Sequence, residues 1–326
     1  MSKCLNELSL RHSLKLKYAK EKLNVLVSGD DYLLIFAPLK LVECHDDGSA
    51  KFQWTVEENQ INSNGMLHGG YISSVAAFAT NTGLYLAGIE DYATADIDVS
   101  FLNASKKGDL VTIETQIVNR ASMLAFTMAR ISHDSGRLIA TAKSSLAKLK
   151  QESQIFSSAS LKLKNSVNKM LPLHYAQDRF DELLPKHGFA THLLCGQHLK
   201  SCTSRGDMKI QWTVDSAQLN RFKQLDIGLI AGIFDYVSGI GSVFFEDPKS
   251  IYGVSVDLSI SQHRPCFEGD IVTMQTNMLK IGQTLMFVEA VITNADDKVV
   301  ATGKQTLMKM HRKNAPSSQP SITSKM

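Results

Sequence analysis

Apolar and small residues occupy every face of the stretch from about 69 to 87, and no charged residue stands between Tyr71 and Leu84. Such a pattern predicts a helix buried on all sides. A second stretch, 227–244, repeats it with a single carboxylate, Asp235. Around these helices the pattern changes to alternation. Lys51-Phe52-Gln53-Trp54-Thr55-Val56 reads as a strand, and 93–102, 109–119, 124–133 and 137–149 read as four more. Ser135-Gly136 marks a turn, as does Asn294-Ala295-Asp296-Asp297. A buried helix followed by a meander predicts an α+β unit, an antiparallel sheet wrapped around one long helix.

The pattern occurs twice. The only two tryptophans sit in FQWTV (52–56) and IQWTV (210–214), 158 residues apart. At that offset Asn62 meets Asn220 and Gly70 meets Gly228; beyond the helix the offset becomes 161, and Thr94 meets Ser255. The chain therefore divides into an N-terminal domain (1–152), a Ser/Lys-rich linker (153–173), a C-terminal domain (174–310) and a Pro/Ser-rich tail (311–326). Trp54 and Trp212 are assigned to the two cores. His174 and His263, for which the sequence suggests no partner, are assigned to the surface.

A net charge of +3 without a dense basic stripe gives no reason to expect nucleic acid. Five cysteines, an odd number with no C-x-x-C pair, argue against a disulfide framework or a zinc site. No secretory leader is expected at the N-terminus. A membrane span over Ile227–Phe245 is set aside, because Asp235 and four glycines lie in it.

Asn62 with His68-Gly69-Gly70 before the helix, the later strand Gly253-Val254-Ser255-Val256-Asp257, the Gly108-Asp109 turn and Leu124-Ala125-Phe126 together resemble the hotdog-fold acyl-CoA thioesterases of the PaaI-like superfamily. The resemblance covers nearly all of both repeats. It implies two hotdog domains paired as an intramolecular pseudo-dimer, with sites between the units. One unit gives the Asn and the HGG turn, whose backbone N–H polarises the thioester carbonyl. The partner gives an Asp, nine residues after the position of the motif His, and a Ser or Thr on the next strand. The chemistry is consistent with elementary physics. A helix N-terminus offers unpaired N–H groups and partial positive charge, glycine lets substrate approach the backbone, and such donors stabilise an oxyanion. A nearby carboxylate serves as general base or as nucleophile.

Each repeat departs from the motif, and the departures are complementary. Ala77 stands where the first repeat should carry the acid; Asp226-Ile227-Gly228 replaces HGG in the second, which keeps Asp235 and Ser255. One interface site then combines Asn62, His68, Gly69 and Gly70 with Asp235 and Ser255. The other combines Asn220, Asp226, Ala77 and Thr94 and lacks a base. Asp226 reads most simply as a helix cap, and Asn62 as functional where Asn220 is vestigial. The resemblance also suggests that Arg120, Ser122, Lys280, Gly282 and Thr284 line the channel for CoA. No metal or separate cofactor is expected, CoA entering only as part of the substrate.

The implied activity is hydrolysis of fatty acyl-CoA; the rival is a catalytically inactive acyl-CoA-binding or regulatory protein. A hydratase of the same fold would need a His soon after the helix Asp, and Tyr236–Phe245 has none. A homodimer of double-hotdog chains is left open. The chain ends Ser324-Lys325-Met326, close to the S-K-L read by the peroxisomal import receptor. Peroxisomes are the expected compartment, with mitochondria or cytoplasm as alternatives. Removal of Ser324–Met326 should move a fluorescently tagged protein, tag placed at the N-terminus, from puncta to cytosol; an unchanged pattern would overturn this expectation.

Overall fold

A computed structural model describes residues 16–25, 27, 35–62, 64–149, 170–183, 196–242 and 251–311. The Ser324–Met326 tripeptide, residues 153–169 of the linker, Cys4 and Cys195 lie outside them.

The first repeat runs as helix α1 (16–25), β1 (Lys40–Cys44), β2 (Ala50–Thr55), the central helix α2 (Gly69–Leu86), β3 (Tyr92–Phe101), β4 (Leu110–Arg120), β5 (Leu124–His133) and β6 (Leu138–Lys148). The second runs as α3 (Leu173–Leu183), β7 (His198–Cys202), β8 (Met208–Thr213), the central helix α4 (Ile227–Gly241), β9 (Ile251–Gln262), β10 (Ile271–Ile281), β11 (Leu285–Asn294) and β12 (Val299–His311). Two strands, not one, precede each central helix. The additional ones, β1 and β7, are five-residue strands at the two edges of the sheet, each with a register shift. A short, bulged edge strand carries no clean alternation, so the sequence pattern passed over it.

The twelve strands among the described residues form one antiparallel sheet in the order β1-β2-β4-β5-β6-β3-β9-β12-β11-β10-β8-β7. The repeats join through β3 and β9, with Asp96 opposite Ser261, Asp98 opposite Ser259 and Ser100 opposite Asp257. Asp98 and Ser259 are equivalent positions at the 161-residue offset, so a pseudo-twofold axis passes between them. The expected pseudo-dimer is thus present within one chain. Trp54 and Trp212 are buried, and one apolar core runs through both repeats. The short helices α1 and α3 each bury one face, through Ala19 and Leu23 and through Ala176 and Phe180, at the i, i+4 spacing that lines a helix face. His174 and His263 lie on the surface, His263 Nε2 being 2.9 Å from Thr302 Oγ1.

The central helices cross antiparallel at small residues. A Cβ on Gly70 would lie 3.1 Å from Gly232 Cα, and one on Gly228 3.2 Å from Ser74 Cα and 3.1 Å from Ala77 Cβ. Ser74 Oγ donates to Gly228 O at 2.7 Å across the crossing. This close approach brings the N-terminal turn of each helix against the middle of the other. Among the described residues, no helix is long and apolar enough to cross a membrane.

Gly228→Val should overpack this crossing. The expected cost is about 1–3 kcal/mol, read as a lower urea midpoint with unchanged slope. A midpoint equal to that of the unmodified protein would mean that the crossing is not tightly packed.

Candidate active site

His68 ends the extended segment before α2 and forms its N-cap. Its ring stacks on that of Tyr236, centroids 5.2 Å apart, and its Nδ1 lies 3.0 Å from Asp235 Oδ2. Gly70 N–H donates to the same Oδ2 at 2.6 Å. His68 Nδ1 is also 3.0 Å from Gly70 N. An ionised carboxylate offers only lone pairs, so the short approach to Oδ2 assigns the proton to Nδ1, which donates to Asp235. The other oxygen, Oδ1, accepts from Ser255 Oγ at 2.5 Å and from Gln305 Nε2 at 2.6 Å. Two repeats thus supply four donors to one carboxylate whose side chain is 3% exposed.

Burial by itself pushes the Asp235 carboxyl up. The hydrogen bond and charge of His68, then the Ser255 hydroxyl and the Gly70 N–H, outweigh it and hold the group below its ordinary value. Asp235 is therefore ionised at neutral pH.

The two glycines of the turn serve different ends. Gly70 is small because the helix crossing requires it, and its N–H is spent on Asp235. Gly69 faces the reactive groups: a Cβ there would lie 3.1 Å from Ser255 Oγ and 3.2 Å from Asp235 Oδ1. Its N–H stands at the first position of α2, where no intrahelical acceptor exists, and takes none among the described residues. Of the two N–H groups expected from the sequence, Gly69 is thus the one open to a substrate carbonyl.

Ser255 reaches this site through a β-bulge. In β9 the side chains of Leu258 and Ile260 are buried against the helices, and plain alternation would turn Ser255 outward with Asp257. The pairing with β12 shifts between Thr306–Asp257 and Leu307–Ser255, leaving Val256 as the extra residue. That shift turns Ser255 toward α4. The first repeat has the same irregularity between Thr94 and Asp96.

Asn62 and Asn220 do the same local work. Asn62 Oδ1 accepts from Asn64 N at 2.9 Å and Met66 N at 3.2 Å; Asn220 Oδ1 accepts from Phe222 N at 2.8 Å and Gln224 N at 3.2 Å. The contrast drawn from sequence between the two has no counterpart in these contacts. Each organises the turn that leads into its central helix.

At the second interface, Ala77, Thr94, Asn220 and Asp226 line a cavity of about 40 Å³ together with Arg221 and Phe222. Asp226 caps α4, accepting from Gly228 N at 2.7 Å and Leu229 N at 3.1 Å. No carboxylate stands at position 77 to act as base.

The five positions suggested for CoA divide between the two interfaces. Arg120 and Ser122 line an open cleft of about 700 Å³ with Tyr92 and Lys148. Tyr92 O accepts from Asn81 and Arg221, which line the second cavity, so this cleft opens beside the interface without a base. The turn holding Lys280, Gly282 and Thr284 lies beside the other. Thr284 O accepts from Lys309 N at 2.8 Å, and Lys309 pairs with Gly253, two residues before Ser255. The division follows from connectivity, because each turn packs on the strand of its own repeat. Gln305 was absent from the sequence-based set; a polar residue alternating along a strand carries no mark of the inward side.

The thioesterase superfamily model matches residues 64–140 and 227–301, one segment in each repeat. The chain is 30% identical over 102 residues to Acyl-coenzyme A thioesterase 13 of Homo sapiens, 31% of this chain and 71% of that protein. Among solved structures, a tesB protein of Mycobacterium avium subspecies paratuberculosis aligns with a TM-score of 0.56 at 15% identity, covering 85% of this chain and 98% of that one. Acyl-CoA thioesterase II TesB2 of Mycobacterium marinum aligns with a TM-score of 0.54 at 11% identity, covering 85% and 98%. At these identities the two structures speak to the fold alone.

A carboxylate held below its ordinary value contributes stability above about pH 4, the ordinary aspartate range, and loses it as pH falls through the lowered value. The unfolding free energy of the native protein, measured against Asp235→Asn, should therefore move against the native protein between about pH 5 and pH 2. A difference independent of pH across that range would contradict the lowered value.

Proposed function

The chain belongs to the thioesterase superfamily, and we propose that it hydrolyses fatty acyl-CoA to free acid and CoA at one composite site between its repeats. One observation carries this reading: an ionised, buried Asp235 from the second repeat lies beside Gly69 of the first, whose N–H takes no acceptor among the described residues.

In this mechanism the thioester carbonyl accepts from Gly69 N–H at the positive end of α2. Water held by Ser255 and Asp235 adds to the carbonyl carbon and gives its proton to the carboxylate. The developing oxyanion is stabilised by the Gly69 N–H and the helix dipole. The C–S bond then breaks, the acid is released, and the proton passes to the CoA sulfur. The general-base role asks less of the site than direct attack by Asp235. A water needs only to take the place of one donor at Oδ1, whereas a nucleophilic carboxylate must leave its donors to reach the carbon. His68 orients Asp235 through the contact of its Nδ1 with Oδ2. The CoA end is assigned to the side of the site bearing Lys280, Gly282 and Thr284.

The second interface lacks a base at Ala77, and Asp226 would stand close to any oxyanion formed there, so one working site per chain is expected. The rival reading, a protein that binds acyl-CoA without hydrolysing it, shares the family but not the use of Asp235. The peroxisome as compartment rests on the Ser324-Lys325-Met326 end alone. A homodimer of the chains is a further proposal, to be tested by light scattering.

Purified protein should release free thiol from some member of a panel of acyl-CoAs of different length and branching. Asp235→Asn should lower kcat at least a thousandfold, whereas Asp226→Asn, which keeps a good cap, should leave it within about twofold. No release from any acyl-CoA would favour the binding protein; equal loss in both variants would sink the single composite site.

A further inference from the structure

The second interface holds a cation where the composite site holds an acid. Arg221 follows the Asn220 turn and lines the cavity of about 40 Å³. Its guanidinium lies against two rings, Cζ being 4.6 Å from the Tyr85 centroid and 4.5 Å from that of Phe222. Nη2 donates to Tyr92 O at 3.3 Å. Nε and Nη1 are buried and find no acceptor, and Arg221 makes no ion pair among the described residues. Burial pushes the guanidinium down to about 10, so it is still charged at neutral pH. The rings offset part of the cost of burying that charge, but they leave two N–H donors without partners.

The cavity is the space where a carboxylate would stand. Ala77, Thr94 and Asp226, which line it, are the equivalents of Asp235, Ser255 and His68. Ala77 ends at a methyl group where Asp235 carries its carboxylate. Thr94 Oγ1 has no hydrogen bond among the described residues, whereas Ser255 Oγ donates to Asp235. Asp226 makes no ion pair with Arg221; its Oδ1 is taken up by the N–H groups of Gly228 and Leu229. The loop after Asn62 has Ser63-Asn64 in the place of Arg221-Phe222. The cation therefore stands at the interface that lacks the acid and not at the one that has it.

Size and charge narrow the ligand. The cavity has room for about three water-sized atoms, the size of a carboxylate group, and the body of a larger molecule would have to extend into the neighbouring cleft. That cleft spends its lysines on its own acids, Lys148 on Asp91 at 2.8 Å and Lys22 on Glu90 at 3.0 Å. It offers little free positive charge to a polyanion such as CoA or a nucleoside phosphate.

We propose that the second interface binds a monocarboxylic acid, its carboxylate seated beside Ala77 between the Arg221 guanidinium and the Thr94 hydroxyl. The ligand then supplies from outside the group that the first repeat lacks. Charge-assisted N–H···O bonds from Arg221 give the guanidinium its missing acceptors. The proposed hydrolysis releases an acid of this class; only that link to the reaction rests on the hydrolase reading.

Sodium butyrate titrated calorimetrically into the full chain, against sodium chloride of equal ionic strength, should bind one to one. Arg221→Met, which removes every donor of the guanidinium, should weaken binding at least about tenfold, and Asp235→Asn should leave it within about twofold. No binding, binding unchanged in Arg221→Met, loss in Asp235→Asn instead, or inorganic phosphate bound in preference to butyrate overturns the proposal. A second variant needs neither ligand nor a folded Arg221→Met. Ala77→Asp places a carboxylate of the chain itself beside Arg221, so it should raise the urea midpoint and abolish butyrate binding. A lowered midpoint, as for a carboxylate buried without a partner, goes against the proposal. Butyrate bound by a protein that hydrolyses no acyl-CoA would overturn the hydrolase reading and leave this site standing; hydrolysis without butyrate binding would overturn the site alone.

Discussion

An isolated carboxylate in a protein interior is costly and tends to take up a proton. Asp235 remains ionised because its four acceptor positions are filled from four directions. His68 and Gly70 come from the first repeat, Ser255 and Gln305 from the second. Hydrogen bonds to a charged group are worth about 1.5–3 kcal/mol each, and four of them offset a desolvation that one or two could not. Neither repeat could bury this group alone. The site therefore depends on the interface, and the interface on how closely the two central helices approach.

That approach is set by small residues. Gly70 meets Gly232, and Gly228 meets Ser74, so the start of each helix lies against the middle of the other. The β3–β9 pairing fixes the same relation from the sheet side, with equivalent residues opposite each other at Asp98 and Ser259. A pseudo-twofold arrangement creates two interface sites of related shape. Because one chain carries both repeats, each can keep only the half that one of the sites requires. The first keeps the open Gly69 N–H and the second keeps the acid. At the other interface the cap is Asp226 and the acid position is Ala77. The same backbone thus gives one polar site built around an ionised carboxylate and one small cavity without a base.

The two occurrences of QWTV, the two buried helices and the complementary loss of HGG and acid are all local patterns. They determined the repeat and the α+β class, and the resemblance to hotdog thioesterases implied the pairing of His68, Gly69 and Gly70 with Asp235. The edge strands β1 and β7 escaped this reading for want of alternation. For Asn62 and Asn220 it could offer a turn role or a site role without ranking them by geometry, because a turn residue and a site residue look alike in one dimension.

Other features were decided only when the chain closed on itself. Alternation along β9 turns Ser255 outward, and it takes a bulge at Val256, seen only in the pairing with β12, to turn it toward Asp235. Gln305 gains its meaning from standing across the sheet from that bulge with Ser238 behind it. The split of the expected CoA contacts between two interfaces, and the commitment of Gly70 N–H to the carboxylate so that Gly69 alone stays open, belong to the same class. Sequence by itself determined which chemical groups the protein has and which repeat supplies each. The tertiary structure decided their distances and the direction in which each donor points, because these depend on strand register and helix separation, and both are set by contacts between residues far apart in the chain.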